Sequence, residues 1–550
     1  MLFVAALITC ALAGLLLFYF AMPVLSFGFY GLPVIILSIL AIAMFFFLDY
    51  SIDLEGKKPA KPKASNPQKD KALKWILILC GVILFYLTAI PLVTTWGAFY
   101  SKKYRNQIGE VKVGKNFTST IAPISLEQVR VVDQQLASLL GEKVLGSQTA
   151  LGSQVSLGIF NIQKVNGKLY WVAPLLHSGF FKWNKNSEGT PGYVMVSATN
   201  ERDVKLVQEV NGQPIKIKYQ PNAYFFSNIE RYLYFNGYAS RGTTDYSFEL
   251  DEAGNPYWVV TIFEKAIGFS GKNAVGVAII NAQNGEIHEY DIKSTPSWVD
   301  RIQPEDIIQE QLNMWGKLVH GYWNFSNKDE LSTTENLSLV YGADGRSYWY
   351  TGLTSVGADE STVGFVLVDT RTKETIWYKQ PGATEYAAQT SAEGKVQEKK
   401  YKSTLPIPYN INGIPTYVST LKDDAGLVKM YAMVAIEDYT IVGVGNSMRE
   451  ALLNYKNTFN MAGNRINASS ESKKFSIRTK VARFAVDIKN GDSFYYIQVT
   501  DKPKLIFVGT SQISNYLPVT NVGDSIAIMY DEESHDLIDL SSFTNISITK

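Results

Sequence analysis

The strongest constraint on this chain is the uneven distribution of its apolar residues, because the long apolar runs lie in the first 97 positions. The first covers Met1 to Leu25, the second Leu32 to Leu48, and the third Trp75 to Trp96. A helix needs about 20 apolar residues to cross a bilayer, so the sequence predicts three transmembrane helices, with the second run marginal in length. A cleavable signal peptide is the alternative for the first run, but it would begin with positive charge, and no charged residue precedes Leu25.

The segment between the second and third runs predicts how the chain is oriented. Residues 51–74 carry seven lysines, namely Lys57, Lys58, Lys61, Lys63, Lys69, Lys71 and Lys74. The cations that closely follow the third run are Lys102, Lys103 and Arg105. Because short loops rich in Lys and Arg remain cytoplasmic, the loop at 51–74 is predicted inside and everything after Trp96 outside. The protein is therefore predicted to be multi-pass in the plasma (inner) membrane, with an extracytoplasmic C-terminal domain.

Charge and residue counts exclude several functional classes. The chain has 52 Lys and Arg against 51 Asp and Glu, and residues 475–550 have seven cations against nine anions. No surplus of positive charge is available for nucleic acid, which we exclude as a partner. Cys10 and Cys80 lie in the apolar runs, so the rest of the chain has no thiol. Four histidines, His177, His288, His320 and His535, match no local metal motif. The sequence therefore predicts no metal, no cofactor and no catalytic residue.

One pattern recurs along the rest of the chain: an aromatic strand start, a polar stretch, and an apolar strand that begins with glycine. It occurs at Tyr170-Trp171, Tyr257-Trp258 and Tyr348-Trp349, with a fourth copy starting at Pro415. The three Tyr-Trp pairs are roughly 90 residues apart, a spacing typical of a repeated structural unit. The alternation of apolar and polar positions predicts that both limbs of each copy are strands.

Helical patterns lie between these predicted hairpins. A capping box at Ser125-Leu126-Glu127-Gln128 predicts a helix whose apolar face includes Val129 and Val132. A second capping box, Ser447-Met448-Arg449-Glu450, predicts another. Further helices are predicted after Pro304 and from Ala223 to Asn236. Each unit is therefore predicted to be a helix packed on a small antiparallel sheet.

These observations predict an α+β protein with six segments. Residues 1–97 form three N-terminal transmembrane helices with the lysine-rich loop at 51–74. Four repeated helix-on-antiparallel-sheet modules follow at 98–210, 211–302, 303–382 and 383–462. After a polar linker at Met461–Lys474, five short strands in residues 475–550 predict a small C-terminal β-barrel, OB-like, or a small sandwich.

The aromatic strand, second strand and polar-glycine turn, clearest at Pro256–Glu289, resemble the PepSY-type modules of bacterial envelope proteins. The match is fair at Ser347–Tyr378, weaker at Lys168–Val207 and poor at Ile414–Gly445. The resemblance implies α/β modules of one helix and an antiparallel sheet, found beside membrane spans and in propeptides of secreted peptidases. It also implies a binding or inhibitory role, and it transfers no catalytic residue.

The candidate binding residues are the six aromatics of the Tyr-Trp pairs, which are Tyr170, Trp171, Tyr257, Trp258, Tyr348 and Trp349. Adjacent strand residues point to opposite faces, so one member of each pair is expected in a core. The other member could pack against the next module, or form an aromatic surface that binds an extended peptide or a glycan.

Two functions remain open at this point. The first is a membrane-anchored bacterial envelope protein whose extracytoplasmic tandem modules bind other envelope or membrane proteins, as scaffold, assembly factor or regulator, with the lipid bilayer contacted through the three helices. The alternative is an envelope hydrolase or a dedicated inhibitor of an envelope peptidase. A cleft holding a histidine or a carboxyl pair would favour the alternative, and a run of exposed aromatics would favour the first.

The lysine-rich loop generates a prediction about topology. A reporter enzyme that is active only after export, fused after Lys550, should be active, because the loop at 51–74 keeps its own side cytoplasmic. Reporter activity in intact cells is the measurement. A fusion that is stably made but inactive would contradict the predicted orientation.

Overall fold

The computed structural model describes residues 2–47, 67–334, 337–342, 345–355, 361–462, 474–489, 492–511, 513–531 and 537–548. Strands make up 37% of the protein and helices 31%, so the fold is mostly β-sheet. The predicted α+β class, with its helix-on-sheet modules as the unit, is therefore wrong. The units share their sheet faces with one another, and the helices between them are short.

The α-helices in this part of the chain, numbered in chain order, are α1 Leu2–Ala21, α2 Gly31–Phe47, α3 Pro67–Thr95, α4 Gly97–Arg105, α5 Gln134–Gly146, α6 Thr149–Gly152, α7 Phe180–Lys185, α8 Ile229–Leu233, α9 Glu305–Lys317, α10 Glu385–Gly394 and α11 Met448–Ala462.

The strands, also numbered in chain order, form four main sheets. Sheet 1 contains β2 Val155–Leu157, β3 Asn161–Val165, β4 Lys168–His177, β5 Tyr193–Ser197 and β6 Val204–Val207. Sheet 2 contains β9 Gly242–Leu250, β10 Pro256–Ile267, β11 Ser270–Asn281 and β12 Ile287–Asp291. Sheet 3 contains β1 Val111–Gly114, β13 Leu331–Thr333, β14 Ser338–Tyr341, β15 Ser347–Ser355, β17 Gly364–Asp369 and β18 Thr375–Tyr378. Sheet 4 contains β20 Lys402–Ser403, β21 Ile407–Ile411, β22 Ile414–Lys422, β23 Val428–Ala435 and β24 Val442–Gly445.

Two strand pairs and a barrel complete the description. The pairs are β7 Glu209–Val210 with β8 Gln213–Pro214, and β16 Ser361–Thr362 with β19 Gly382–Ala383. The closed barrel runs in the order β25-β26-β27-β29-β28, with β25 Lys474–Lys489, β26 Asp492–Val499, β27 Lys502–Thr510, β28 Ser525–Asp531 and β29 Leu537–Asn545. Residues 463–473, most of the predicted linker, lie outside the described residues.

The prediction of three N-terminal transmembrane helices is wrong. Among the described residues, Asp70–Thr95 is the one helix long and apolar enough to cross a membrane. The apolar stretches of α1 and α2, Leu7–Ala21 and Gly31–Phe45, are shorter. At 1.5 Å per residue each spans about 22 Å, against a hydrocarbon core of about 30 Å. Residues 51–66 of the lysine-rich loop lie outside the described part of the chain.

The four sheets stack face to face in the order 2, 1, 3, 4, as an extended β-sandwich with a hydrophobic core in each gap. Alternate residues of one strand enter different cores. On β4, Val172 faces the core shared with sheet 2, while Ala173 faces the core shared with sheet 3, and both are fully buried. On β15, Trp349 faces sheet 1, while Tyr350 faces sheet 4. Both faces of each sheet are therefore buried.

Helices fill the gaps and cover one end of the stack. Helix α8 lies between sheets 2 and 1, α5 and α9 between sheets 1 and 3, and α10 between sheets 3 and 4. Helix α11 covers the outer face of sheet 4. Sheet 1 falls within the predicted segment 98–210, sheet 2 within 211–302 and sheet 4 within 383–462. Sheet 3 does not fall within one predicted segment, because its strand β1 comes from 98–210.

One hydrogen bond recurs in all four sheets and ties each sheet to the segment that precedes it. An aromatic side chain in the sheet donates to a backbone carbonyl of that segment: Trp171 Nε1 to Val132 at 2.7 Å, Trp258 Nε1 to Tyr219 at 2.8 Å, Trp349 Nε1 to Gln303 at 2.8 Å, and Tyr417 Oη to Ala383 at 3.2 Å. Three of the acceptors, Val132, Gln303 and Ala383, directly precede the N-cap of a helix. The recurring Tyr-Trp pattern in the sequence therefore corresponds to a recurring hydrogen bond, which we call the aromatic tie. It joins each sheet to the preceding segment, in three cases just before a helix begins.

Two predicted helices differ from the observed ones. The capping box at Ser125 opens only a short 3-10 turn, Leu126–Gln128, and α5 begins after Asp133, whose side chain accepts from Leu136 N. Val129 packs on the outer face of sheet 4 and Val132 between sheets 1 and 3, so one helical face could not place both. The helix predicted from Ala223 is reduced to α8, which continues into a π-helical turn.

The recurring tie predicts a stability effect. Trp349→Phe should lower the free energy of unfolding by at least about 2 kcal/mol, because the carbonyl of Gln303 loses its donor and the smaller ring leaves a cavity. Thermal unfolding of the purified chain in detergent, followed by circular dichroism, measures this. Trp323→Phe is the matched control, since Trp323 is 60% exposed. Equal losses in the two variants would contradict the structural role of the tie.

Candidate membrane-proximal site

The six aromatics predicted as a binding surface lie inside the stack. Tyr170, Trp171, Trp258, Tyr348 and Trp349 are buried. Tyr257 is half-buried, and its ring packs 5.3 Å from that of Trp298. The two members of each pair face different cores, as the strand alternation predicts, but the next sheet or a connecting segment covers the second face. These residues therefore stabilise the stack and form no exposed aromatic surface.

Exposed aromatics, together with the half-buried Tyr19, lie instead where the apolar helices meet the sheet stack. Tyr19, near the end of α1, contacts Phe226 at 6.0 Å and Phe235 at 6.3 Å between ring centroids. Trp96, directly after α3, donates from Nε1 to Tyr322 Oη at 3.2 Å. We call this set the aromatic rim, and its members are Tyr19, Trp96, Phe99, Phe226, Phe235, Tyr322, Trp323 and Phe325. Its most exposed member is Phe325, at 84%.

Two runs of consecutive aromatic residues in the sequence indicate the rim, and neither belongs to the recurring strand pattern. Tyr224-Phe225-Phe226 and Tyr322-Trp323-Asn324-Phe325 are runs of aromatics without polar alternation. Consecutive residues of a strand cannot all enter one core. Such runs therefore indicate that some of the rings are exposed.

The ends of the apolar helices are fixed to the tip of the β10–β11 hairpin. The ring of Phe269 contacts Phe27 at 5.4 Å, Tyr30 at 4.8 Å and Tyr86 at 5.7 Å, so it meets the turn before α2, the start of α2, and α3. Lys265 Nζ donates to the carbonyls of Gly28 and Phe269, each at 2.9 Å. Burial lowers the pKa of Lys265.

Glycine is required at this junction because the backbones approach closely. A Cβ on Gly28, whose φ is +85°, would lie 2.5 Å from the carbonyl oxygen of Gly268. A Cβ on Gly268, whose φ is +56°, would lie 2.5 Å from Thr94 Oγ1. Both residues also have left-handed backbone conformations that disfavour other side chains. The helices and the sheets are therefore joined by direct packing.

Next to this junction lies a cleft of about 480 Å³, which we call the lysine cleft. Its polar lining consists of Lys102, Lys103, Asn106, Gln107, Asn273 and Lys373. Lys373 Nζ donates to the Gln107 carbonyl at 2.8 Å and to Asn273 Oδ1 at 2.6 Å. Burial lowers the pKa of Lys373 to about 8. The cleft presents three cations and three amides, a set suited to an anion and not to proton transfer at a carboxyl pair.

A buried carboxyl cluster lies deeper in the molecule, near the junction of sheets 1, 2 and 3. Glu249 is 2% exposed, and neither carboxylate oxygen has a hydrogen-bond partner among the described residues. Burial raises the pKa of Glu249 to about 8, an effect that Arg301 opposes. Asp300 Oδ2 accepts from Lys164 N at 2.8 Å and from Tyr341 Oη at 3.3 Å. Glu249 does not line the lysine cleft.

The histidines lie far from one another. His177 is buried, and burial lowers its pKa. His288 lies 3.0 Å from a Glu286 oxygen and His320 2.8 Å from an Asp329 oxygen, both at the surface. His535 lies outside the described residues. Within the described ranges, no group of three or more His, Cys, Asp or Glu side chains could hold a metal ion.

Comparisons with known proteins add little to this geometry. No protein-family model matches the chain, and no curated protein matches it. Among solved structures, the Bombyx mori GH32 beta-fructofuranosidase BmSUC1 is similar at 9% sequence identity, covering 74% of this chain and 70% of that chain, with a TM-score of 0.16. A TM-score this low supports no inference about fold or activity.

The buried carboxyl predicts a pH dependence of stability. Because the folded pKa of Glu249 is about 8 and the unfolded value is about 4.3, only the unfolded chain releases this proton between those values. The contribution of Glu249 to stability therefore falls as pH rises through this window, by a total on the order of a few kcal/mol. Glu249→Gln should remove that loss.

Thermal unfolding at acidic, neutral and alkaline pH is the measurement. The stability of Glu249→Gln relative to the parent chain should increase steadily with pH. The control is Glu252→Gln, since Glu252 is exposed in the turn between β9 and β10. Parallel pH profiles for Glu249→Gln and the parent chain would show that this carboxyl is not held protonated.

Proposed function

We propose that this chain is a membrane-anchored binding protein whose sheet stack is held against one surface of the bilayer, where it serves as a scaffold, assembly factor or regulator for other membrane proteins. The observation that carries the proposal is the aromatic rim. Tyr and Trp are enriched at the level of lipid headgroups because they combine an apolar ring with a polar group. The rim residues Tyr19 and Trp96 lie at the ends of α1 and α3.

The junction supports a scaffold role because it fixes the orientation of the sheets. Tyr234 Oη donates to the Pro23 carbonyl at 2.7 Å, and Leu25 N donates to the Ala239 carbonyl at 2.7 Å. Together with the packing around Phe269, these bonds join the stack to the apolar helices at several points. A flexible tether would let the stack tumble, whereas this junction presents the same surfaces at a constant height above the membrane.

The proposed location is the plasma (inner) membrane of a bacterium, with the stack and barrel on the extracytoplasmic side. This assignment rests on the lysine-rich loop at 51–74 and on Asp70–Thr95, the one helix in the described part of the chain that is long enough to cross. The resemblance to PepSY-type modules is consistent with that location. The alternative, an envelope hydrolase or peptidase inhibitor, gains no support from the lysine cleft, whose lining contains neither a histidine nor a carboxyl pair.

Depth measurement tests whether the rim contacts lipid. In a chain with Cys10→Ser and Cys80→Ser, Phe325→Cys and Tyr386→Cys would each carry one fluorescent label in nanodiscs. Both parent residues are exposed, at 84% and 61%, but Tyr386 lies on α10, between sheets 3 and 4. A headgroup-level nitroxide lipid should quench the label at position 325 strongly and that at 386 little. Equal quenching would argue against a bilayer-facing rim.

The size of the native complex tests the scaffold role. Mild detergent extraction followed by native electrophoresis should give an assembly larger than the 61.4 kDa chain with its detergent, because a scaffold is expected to retain its partners. Migration as the chain alone, under conditions that preserve another membrane complex of the same cells, would contradict that role.

A further inference from the structure

The lysine cleft contains a lysine where the repeated fold has a glycine. In sheet 2, Asn281 pairs with Tyr257, and Gly285 follows four residues later with φ +80°. In sheet 3, Asp369 pairs with Tyr348, and Lys373 occupies the same position with φ +65°. A Cβ is disfavoured in this left-handed conformation. The strain at Lys373 therefore has no explanation in the turn itself, since glycine forms the equivalent turn.

The three cations of the cleft differ in their partners from the lysines that form ion pairs. Lys112, Lys205, Lys402 and Lys422 each lie within 4.0 Å of a carboxylate, whereas no carboxylate partner of Lys102, Lys103 or Lys373 is found among the described residues. Lys373 uses two of its three N–H bonds, for neutral oxygens of Gln107 and Asn273. Like charges gathered in one cleft repel unless an anion is bound.

A second polar group in the cleft also needs an acceptor. The side-chain amide nitrogen of Gln107 is buried and has no hydrogen-bond partner among the described residues. A buried donor left without an acceptor is costly. Because Gln107 lines the cleft, rotation of its side chain would bring this donor to an oxygen-rich anion that neutralises the lysines.

The position of the cleft bears on where such an anion would come from. Lys102 and Lys103 lie on α4, which starts two residues after α3 ends. Lys102 is seven residues after Thr95, the last residue of α3, so its distance from that end is at most on the order of 10 Å. The headgroup region adds about 5–8 Å to each side of the hydrocarbon core, and a lysine side chain can reach across the difference.

We propose that the lysine cleft is a binding site for a phosphate ester, in which Lys102, Lys103 and Lys373 surround the phosphate and the amides of Gln107, Asn106 and Asn273 orient it. Lysine binds phosphate as a compact charge with several donors. Three cations match a phosphate monoester, which carries up to two charges and three terminal oxygens, better than a carboxylate with one charge and two oxygens. In so far as the phosphate belongs to an anionic lipid, the inference rests on the proposed membrane anchoring.

The test uses the full chain and two probes that carry the same phosphate monoester. In one arm, glycerol 3-phosphate is titrated calorimetrically into the chain in phosphatidylcholine nanodiscs. In the other, the chain is extracted from mixed phosphatidylcholine and phosphatidic acid bilayers, and the retained lipids are counted by native mass spectrometry. Binding of glycerol 3-phosphate identifies a soluble ester as a sufficient ligand, and selective phosphatidic acid retention alone identifies the lipid.

Lys373→Gly is the decisive variant, because it installs the residue that the equivalent turn already has at Gly285. We expect an affinity at least about tenfold lower, or loss of the retained lipid. Lys400→Gly is the matched control, since Lys400 is an exposed lysine with φ +55° outside the cleft. If Lys373→Gly fails to fold, the double variant Lys102→Gln with Lys103→Gln decides, as both residues are exposed.

The proposal is overturned if the parent chain binds neither probe, or if the cleft variants bind as the parent chain does. This result is separable from a failure of the proposed function. Binding of glycerol 3-phosphate that is lost in Lys373→Gly, with no quenching of the label at position 325, would support the cleft and reject the bilayer-facing rim. Strong quenching at position 325 without binding of either probe would support the bilayer-facing rim and reject the phosphate site.

Discussion

Two-sided burial of the sheets is the constraint on which the rest of the structure depends. Strand residues alternate between faces, and in β4 and β15 both alternating sets are buried and contain large apolar or aromatic side chains. A sheet of this kind cannot stand alone in water, since burying only one face leaves a row of large apolar side chains exposed. Stacking in the order 2, 1, 3, 4 satisfies this requirement, and α11 covers the last free face of sheet 4.

The recurring aromatic tie is a structural feature that all four sheets share. Each tie joins a sheet to the segment before it, and in three sheets the acceptor directly precedes a helix N-cap. The helix start is therefore positioned by a buried hydrogen bond as well as by apolar contact. Because losing a buried donor costs more than an exposed contact contributes, the tie explains why Tyr-Trp pairs recur at regular spacing.

Sequence patterns predicted the strands and the regular spacing of the Tyr-Trp pairs, because both depend on local alternation. They did not predict what covers the second face of each sheet, so one member of each Tyr-Trp pair was left between a module contact and an exposed surface. Both members pack inside the stack. The capping box at Ser125 was overridden because Val129 and Val132 enter different cores. The lysine cleft could not be predicted from pattern, since it joins positions near 105, 270 and 373 through the fold.

The departures from the repeat occur at its turns, where a change leaves the stacked cores intact. Gly285 and Lys373 hold equivalent turn positions, but Lys373 lines the cleft beside α4, which follows the end of α3. Turn residues can vary without loss of core packing, so turns are where function is added to a stable scaffold. At Lys373 a strained lysine stands where glycine forms the equivalent turn, and strained residues are concentrated at functional sites. The same end of the stack also carries the aromatic rim, which places the cationic cleft and the exposed rings at one surface.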